Sequence, residues 1–207
     1  MKSRYCHELD AVINGTEALQ KREVEKLIAG QNMLFVTLGP SGTNHEFVTQ
    51  NYLSLRNLKD VGIKLIDNFY SGLEVIADGR ADYMVQAAVH PDCSEVVAKA
   101  HFLYGIGVVD TFISPGKQLA LLSRVGVDTP RRVAFQPATR HYVNLENWEE
   151  HIPVNSTMHV AEGLLNGVYD SGITFLEIAE KHSTKLRAEI ILGTVDDPWL
   201  VYGKQDV

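Results

Sequence analysis

The stretch FVTLGPSGTNHEF, residues 35–47, predicts a buried strand that runs through a tight turn into a helix. Phe35, Val36 and Leu38 are apolar and partly β-branched, which favours a strand. The glycines and the proline between residues 39 and 42 are typical of a turn. Thr43 or Asn44 can cap the helix that follows. A strand, a small-residue turn and a helix in this order are the repeating unit of an α/β protein.

The rest of the chain repeats this alternation. Besides residues 33–38, strands are predicted at residues 63–66, 83–89, 108–114, 118–124, 132–136, 168–175 and 189–192, with an extended tail from residue 198. Helices are predicted at residues 44–55, 70–79, 94–104, after Pro137, up to Leu165 from a cap at Asn155 or Ser156, and at 176–182. The alternation predicts an α/β fold with mostly parallel sheets.

The first 31 residues are predicted to be a leader that precedes the domain of residues 32–207. Residues 16–28 have the apolar spacing of an amphipathic helix, and Gly30 is typical of its C-terminal stop. This helix could pack on the domain or on a partner subunit, and both options stay open at this point. The start of the chain, MKSRYCHELD, has no apolar signal-peptide core, so we expect a cytoplasmic protein.

Composition excludes several classes of protein. The formal net charge is −7, which argues against nucleic-acid binding. No run approaches the ~18 apolar residues that a membrane-spanning helix needs, so no membrane partner is expected. The two cysteines, Cys6 and Cys93, are expected to be free thiols. His90 and Cys93 are too few ligands for a zinc site, and no nucleotide-binding glycine motif is present. We therefore expect neither a metal nor a cofactor.

Three strand-to-helix turns carry small polar residues where ligands of α/β proteins bind. The first is Ser41–Asn44, whose backbone N–H groups and helix N-terminus can hold a carboxylate. The second is Gln136–Thr139 and the third is Asn155–Thr157. The three turns could converge on one cleft between two lobes. Alternatively, these residues only form turns and cap helices.

Several motifs together resemble the prephenate dehydratase family. They are LGPSGTNHEF, DYMVQAAV, RRVAFQPATRHYV, NSTMHVAEGLLNGVYDSGITFLEIAE and WLVYGK, and they span residues 33–204. The resemblance implies a two-lobed, periplasmic-binding-protein-like (type II) fold with the active site in the cleft. It places lobe 1 at about residues 32–106 plus 188–207 and lobe 2 at about 107–187. The implied substrate, prephenate, is a dicarboxylate, in keeping with the anion-binding turns.

The chain departs from the dehydratase pattern at two places. The Thr-Arg-Phe motif of dehydratases falls on Asp197, Pro198 and Trp199, and the segment after the third strand is VHPDC, residues 89–93. The sequence is more similar to the non-aromatising prephenate decarboxylases of bacilysin biosynthesis, through VNST, the EGL…YD pattern and the final Trp-x-x-x-Gly-Lys. This resemblance implies removal of CO₂ from prephenate with retention of the ring hydroxyl, in antibiotic biosynthesis.

Such a reaction needs a carboxylate clamp, a dry environment for the leaving carboxylate and a positioned acid. The candidate substrate-binding residues are Ser41, Gly42, Thr43, Asn44, Gln136, Thr139, Arg140, Asn155, Ser156, Thr157 and Trp199. The candidate proton donors are His90, His45, His141 and Asp197, with His90 preferred. The alternatives are a solvated arginine, helix caps, surface histidines and a turn aspartate.

Other functions remain compatible with the sequence. A dehydratase, or an enzyme acting on a different acidic substrate, would use the same fold. A non-catalytic carrier or sensor of an aromatic-pathway acid would explain the lost motif equally well. A homodimer is also left open.

Overall fold

The computed structural model describes the backbone of residues 4–28 and 30–204, and the side chains from Thr16 onward within those ranges. The chain forms two compact units. Unit 1 contains residues up to Ser41, then His45–Ser114, and the segment from Asp197. Unit 2 contains Gly42–Asn44 and Pro115–Asp196. The strand-to-helix turn that opened the sequence analysis is therefore divided between the two units.

Unit 1 is built on a five-stranded sheet. Its elements in chain order are α1 (Arg4–Ile28), β1 (Met33–Leu38), α2 (Asn44–Leu55), β2 (Val61–Ile66), α3 (Phe69–Ala77), β3 (Tyr83–Ala87), α4 (Cys93–Tyr104) and β4 (Ile106–Pro115). The last strand of the chain, β10 (Asp196–Lys204), lies between β3 and β4 in the order β2-β1-β3-β10-β4. Strands β2, β1 and β3 are parallel, and β10 is antiparallel to β3.

Unit 2 contains the second five-stranded sheet. Its elements are β5 (Leu119–Arg124), β6 (Arg132–Phe135), β7 (Glu150–Pro153), α5 (Thr157–Leu165), β8 (Ser171–Phe175), α6 (Leu176–Lys181) and β9 (Leu186–Gly193). The strand order is β7-β6-β8-β5-β9, with β7, β6 and β8 parallel and β5 antiparallel to both neighbours. Each unit thus has three parallel strands, and antiparallel strands make both sheets mixed.

Helices cover the sheet of unit 1 on both faces, as expected for parallel strands. All five residues of β3 are buried. Val85 faces one core cluster, with Phe35 and Trp199, while Met84 faces a second cluster with Tyr202. Buried residues on both faces fix the register, because a slip by one residue would exchange the two cores.

Helix α1 belongs to unit 1. It begins at Arg4, well before the predicted start at Thr16, and ends at Ile28. The predicted stop is confirmed at Gly30, which has a φ of 70° and donates its N–H to the Leu27 carbonyl over 3.0 Å. Leu19 is 5% exposed and lies in the core cluster of the sheet. The helix therefore packs on the domain, which was one of the two options that the sequence left open.

Ion pairs and hydrogen bonds fix the second half of α1. The Glu23 carboxylate accepts hydrogen bonds from the backbone N–H groups of Lys59 and Asp60, at 2.7 and 2.8 Å. The Lys26 ammonium lies 2.8 Å from the Asp82 carboxylate, which also accepts the Leu34 N–H over 2.9 Å. Asp82 is 5% exposed, so α1 supplies the neighbouring positive charge that this buried carboxylate requires.

The helix predicted after Pro137 is wrong in extent. Only one 3₁₀ turn forms, Pro137–Thr139, and the chain then continues without regular structure to β7. The apolar residues of this segment pack individually instead of along a helix face. Leu145, for example, is 1% exposed in a cluster with Val133 and Phe135. Tertiary packing thus overrides the local helix pattern.

Candidate functional site

The turn at residues 41–44 forms as predicted at the start of α2, which begins at Asn44. Gly42 has a φ of 87°, a conformation that favours glycine. The Asn44 side-chain oxygen accepts the N–H of Lys117 over 2.8 Å, within unit 2. The Ser41 hydroxyl donates to the Glu46 carboxylate over 2.8 Å, within unit 1. Both of these side chains thus already form hydrogen bonds with other residues of the protein.

Lys117, which the sequence analysis did not identify, lies directly beside this turn in unit 2. Its ammonium donates to the Gly42 carbonyl over 3.0 Å and lies 4.7 Å from the centre of the Phe175 ring. It also forms an ion pair with Glu177. The side chain of Lys117 is 18% exposed. In the sequence, only its position after the turn Pro115-Gly116 could have pointed to Lys117, because the residues that its side chain contacts are distant along the chain.

The third predicted turn lies next to the first. Ser156 caps α5 by accepting the His159 N–H over 3.1 Å, so the expected cap forms. The Thr157 carbonyl accepts the Thr174 hydroxyl over 2.6 Å. A side chain at Gly42 would lie 3.5 Å from the sulfur of Met158, in the first turn of α5. The structure therefore brings Gly42 and the N-terminal turn of α5 together, while Asn155 is exposed.

The second predicted turn uses its polar side chains locally. The Gln136 side-chain oxygen accepts the Ala138 N–H over 2.7 Å, and the Thr139 hydroxyl donates to the Gln136 carbonyl over 2.9 Å. The Arg140 guanidinium lies 5.6 Å from the centre of the Phe135 ring. These contacts are those of a capped turn with a stacked arginine. His141 beside it is exposed.

Unit 1 brings two of the candidate histidines and Trp199 into one histidine–aromatic cluster, formed by His45, Phe69, His90 and Trp199. The centre of the His45 ring lies 5.1 Å from that of Trp199, 5.4 Å from that of Phe69 and 6.0 Å from that of His90. The rings of Phe69 and His90 are 4.9 Å apart. The cluster lies beside the carboxyl end of β3, an edge where α/β proteins bind ligands.

Burial favours the neutral form of both histidines of the cluster. Burial, and secondly the proximity of His90, lower the pKa of His45 to about 3. Its Nε2 atom lies 3.4 Å from the Ala87 nitrogen, whose N–H it accepts. Burial also lowers the pKa of His90, although Asp92 acts in the opposite direction. Because His90 accepts the Asp92 N–H at Nδ1 over 3.2 Å, its proton is carried by Nε2.

Trp199 contributes a polar group that the protein itself does not use. The residue is 1% exposed, and it lies opposite Ala87 in the β3–β10 ladder. Its Nε1–H is buried and has no hydrogen-bond partner among the described residues. A buried donor without an acceptor costs about 1–3 kcal/mol. Asp197, partly buried, lies two positions earlier on the same strand.

Two features are missing from the described part of the chain, namely a cluster of metal ligands and a membrane-spanning helix. There, no three His, Cys, Asp or Glu side chains are grouped so as to hold a metal ion. Cys93 is a free thiol whose pKa is raised by burial, while Cys6 lies outside the described side chains. None of the described helices combines the length and hydropathy needed to cross a membrane.

No family profile and no curated protein sequence matches this chain. Solved structures do. Prephenate dehydratase from Arthrobacter aurescens, in complex with L-Phe, matches with a TM-score of 0.62 and 19% identity over 84% of this chain and 61% of that chain. GqqA, described as a quorum-quenching acylase, matches with a TM-score of 0.54 and 16% identity over 84% of this chain and 65% of that one. The chain thus spans less than two thirds of either protein.

A third similar structure is a periplasmic domain. The periplasmic VFT2 domain of Bordetella pertussis BvgS matches with a TM-score of 0.51 and 14% identity, over 83% of this chain and 80% of that chain. All three identities lie below 20%, so the similarity concerns the fold. The predicted α/β fold of the type II periplasmic-binding-protein class is confirmed, and the similar structures include a dehydratase and a periplasmic domain.

Proposed function

We propose that this chain is a cofactor-independent carboxy-lyase that removes CO₂ from prephenate and leaves the ring non-aromatic, in a bacilysin-like antibiotic pathway. The observation that supports this most is the histidine–aromatic cluster. It combines two neutral histidines with a buried, unpartnered indole N–H. Such surroundings are dry and carry little charge, and a carboxylate loses its hydration there.

Desolvation favours decarboxylation. The bond between the ring carbon and the carboxylate breaks, and its electron pair forms a new ring double bond. The neighbouring double bond shifts, and its far carbon takes up a proton. The localised charge of the carboxylate spreads over the ring in the transition state. An apolar site therefore destabilises the ground state more than the transition state. The Trp199 N–H can donate to an oxygen of the substrate.

The neutral histidines also favour keeping the hydroxyl. Aromatisation needs a strong acid at the departing hydroxyl, and a neutral imidazole is a poor one. Protonation of the ring carbon is less demanding, because the carbanion left by the loss of CO₂ is a strong base. It is assigned to His90, whose Nε2–H is directed by the Asp92 contact at Nδ1 and whose proton is regained from solvent. Asp197 is the second proposed donor, and His45 holds its partner ring in place. The residues 41–44, Gln136, Thr139, Arg140 and 155–157 remain the proposed carboxylate and hydroxyl ligands.

The test is incubation of the purified protein with prephenate, with CO₂ release and the product spectrum followed together. We expect CO₂ and a non-aromatic hydroxy-diene product without phenylpyruvate. His90→Gln should lower kcat by about 100-fold or more, the usual contribution of a general acid. His182→Gln, at an exposed histidine, is the matched control. Phenylpyruvate as the sole product would identify a dehydratase instead.

The second candidate is a non-catalytic sensor or carrier of an aromatic-pathway acid. It is favoured by the low pKa of His45, which leaves the imidazole of His45 unprotonated near neutral pH, and by the similarity to a BvgS domain. Calorimetry with prephenate, phenylpyruvate and chorismate separates the two. Binding of prephenate without CO₂ release would establish this candidate. The cytoplasmic location and the homodimer also remain parts of the proposal.

A further inference from the structure

We propose that Lys117 provides the positive charge that binds a substrate carboxylate, and that Glu177 occupies this position until the substrate arrives. This inference rests on the proposed function for the identity of the ligand, an aromatic-pathway acid. It assigns a binding role to a residue that neither the sequence motifs nor the histidine–aromatic cluster includes. Lys117, Glu177 and their neighbours all lie in unit 2.

Lys117 has the surroundings of a ligand-binding lysine more than those of a surface lysine. Its side chain is 18% exposed, against 63% for Lys181. Its ammonium is fixed by the Gly42 carbonyl at 3.0 Å and by the face of Phe175 at 4.7 Å. The two directed contacts orient the ammonium, and its partly desolvated position strengthens the attraction for an anion. The main chain of Lys117 is held as well, through Asn44.

Glu177 is suited to be displaced because it has a second partner. Its carboxylate pairs with Lys117 through one oxygen and with Lys181 through the other, at 2.9 Å. The side chain is 34% exposed, and Lys181 is four residues later on the same helix. When a substrate carboxylate takes its place at Lys117, Glu177 keeps one ion pair and gains water. The exchange therefore leaves neither carboxylate without a counter-charge.

Arg140, the cation predicted from the sequence, is less well placed for this role. Its guanidinium lies over the Phe135 ring beside a turn whose polar groups bond to one another. Lys117 instead contacts Gly42, and Gly42 adjoins the first turn of α5. The first and third predicted ligand-binding turns therefore meet near Lys117.

The experiment measures prephenate affinity by calorimetry for the wild type and four variants, with CO₂ release recorded separately. Lys117→Gln should weaken binding by about tenfold or more, the usual loss for a hydrogen bond to a charged group. Lys117→Arg should keep the affinity within a few-fold. Glu177→Gln should strengthen binding, because the competing carboxylate is gone. Lys185→Gln, at an exposed lysine of the same unit, is the control and should bind as the wild type does.

The opposite signs expected for Lys117→Gln and Glu177→Gln separate a ligand role from a structural one. If both variants weaken binding equally, the ion pair only supports the fold and the inference is wrong. Unchanged affinity in both also overturns it, and so does a wild type that fails to bind prephenate. Should prephenate bind without release of CO₂, the proposed lyase activity fails while the affinity pattern still decides the role of Lys117. Should Lys117→Gln not fold, Glu177→Gln and Lys117→Arg still decide it.

Discussion

Acidification should destabilise unit 1 through His45. In the unfolded chain a histidine has a pKa near 6.5, whereas burial lowers that of His45 to about 3 in the folded protein. Between these two values the unfolded state binds more protons than the folded one. The free energy of unfolding must therefore fall as the pH falls from about 6.5 towards 3.

The size of the effect follows from the two pKa values. When the pH falls from 7.5 to 5.0, His45 binds a proton in the unfolded chain but stays unprotonated in the folded protein. This difference lowers the free energy of unfolding by at most about 2 kcal/mol. It is an upper limit because His45 as a whole keeps some solvent contact, although its ring lies among Phe69, His90 and Trp199.

The variant His45→Gln tests this directly, since glutamine can still accept the Ala87 N–H. Urea unfolding of both proteins is measured at pH 7.5, 6.5, 5.5 and 5.0. Trp199 fluorescence reports on unit 1 in a Trp148→Phe background, because the chain has two tryptophans and Trp148 lies in unit 2.

The wild type should lose up to about 2 kcal/mol more than His45→Gln over this pH range. The exposed-histidine variant His182→Gln should follow the wild type. Equal pH dependence in the wild type and His45→Gln would show that His45 is readily protonated in the folded protein. The neutral cluster, and the dry site argued from it, would then be refuted.

Two further predictions concern stability. Asp82→Asn should cost about 2–3 kcal/mol in urea unfolding, because it removes the charge of a buried, ion-paired carboxylate; Asp78→Asn, in an exposed pair, should cost under about 0.5 kcal/mol, and equal costs would contradict the argument. Gly172→Ala should cost about 1–3 kcal/mol or more, since its methyl group would lie 2.3 Å from Val160. Gly62→Ala, with 3.1 Å to its nearest side chain, should be milder, and thermal unfolding of both variants checks the order.

The sequence predicted the fold well where structure is local. The turn after β1 forms at the predicted residues because glycine and proline act within a few positions. The antiparallel insertion of β10 beside β3 was not predictable in the same way. It pairs Trp199 with Ala87, more than 100 residues earlier, and no local pattern encodes such a pairing.

The candidate site shows the same limit. His45, His90 and Trp199 were each selected from the sequence, but their contact depends on three distant segments meeting in unit 1. Lys117 was missed since its partners Gly42, Phe175 and Glu177 are remote along the chain. Residue type and local position suggest what a side chain can do, whereas the folded neighbourhood decides its charge state and its contacts.

The way α1 attaches to unit 1 bears on how the protein is made. The ribosome synthesises this helix before its partners in unit 1, which are the N–H groups of Lys59 and Asp60 that bind Glu23, and Asp82, which pairs with Lys26. Leu19 of the nascent helix therefore stays uncovered until the chain up to Asp82 has left the exit tunnel. Cutting the finished chain at Gly30 would remove the Lys26 counter-charge from Asp82 and the Leu19 side chain from the core of unit 1.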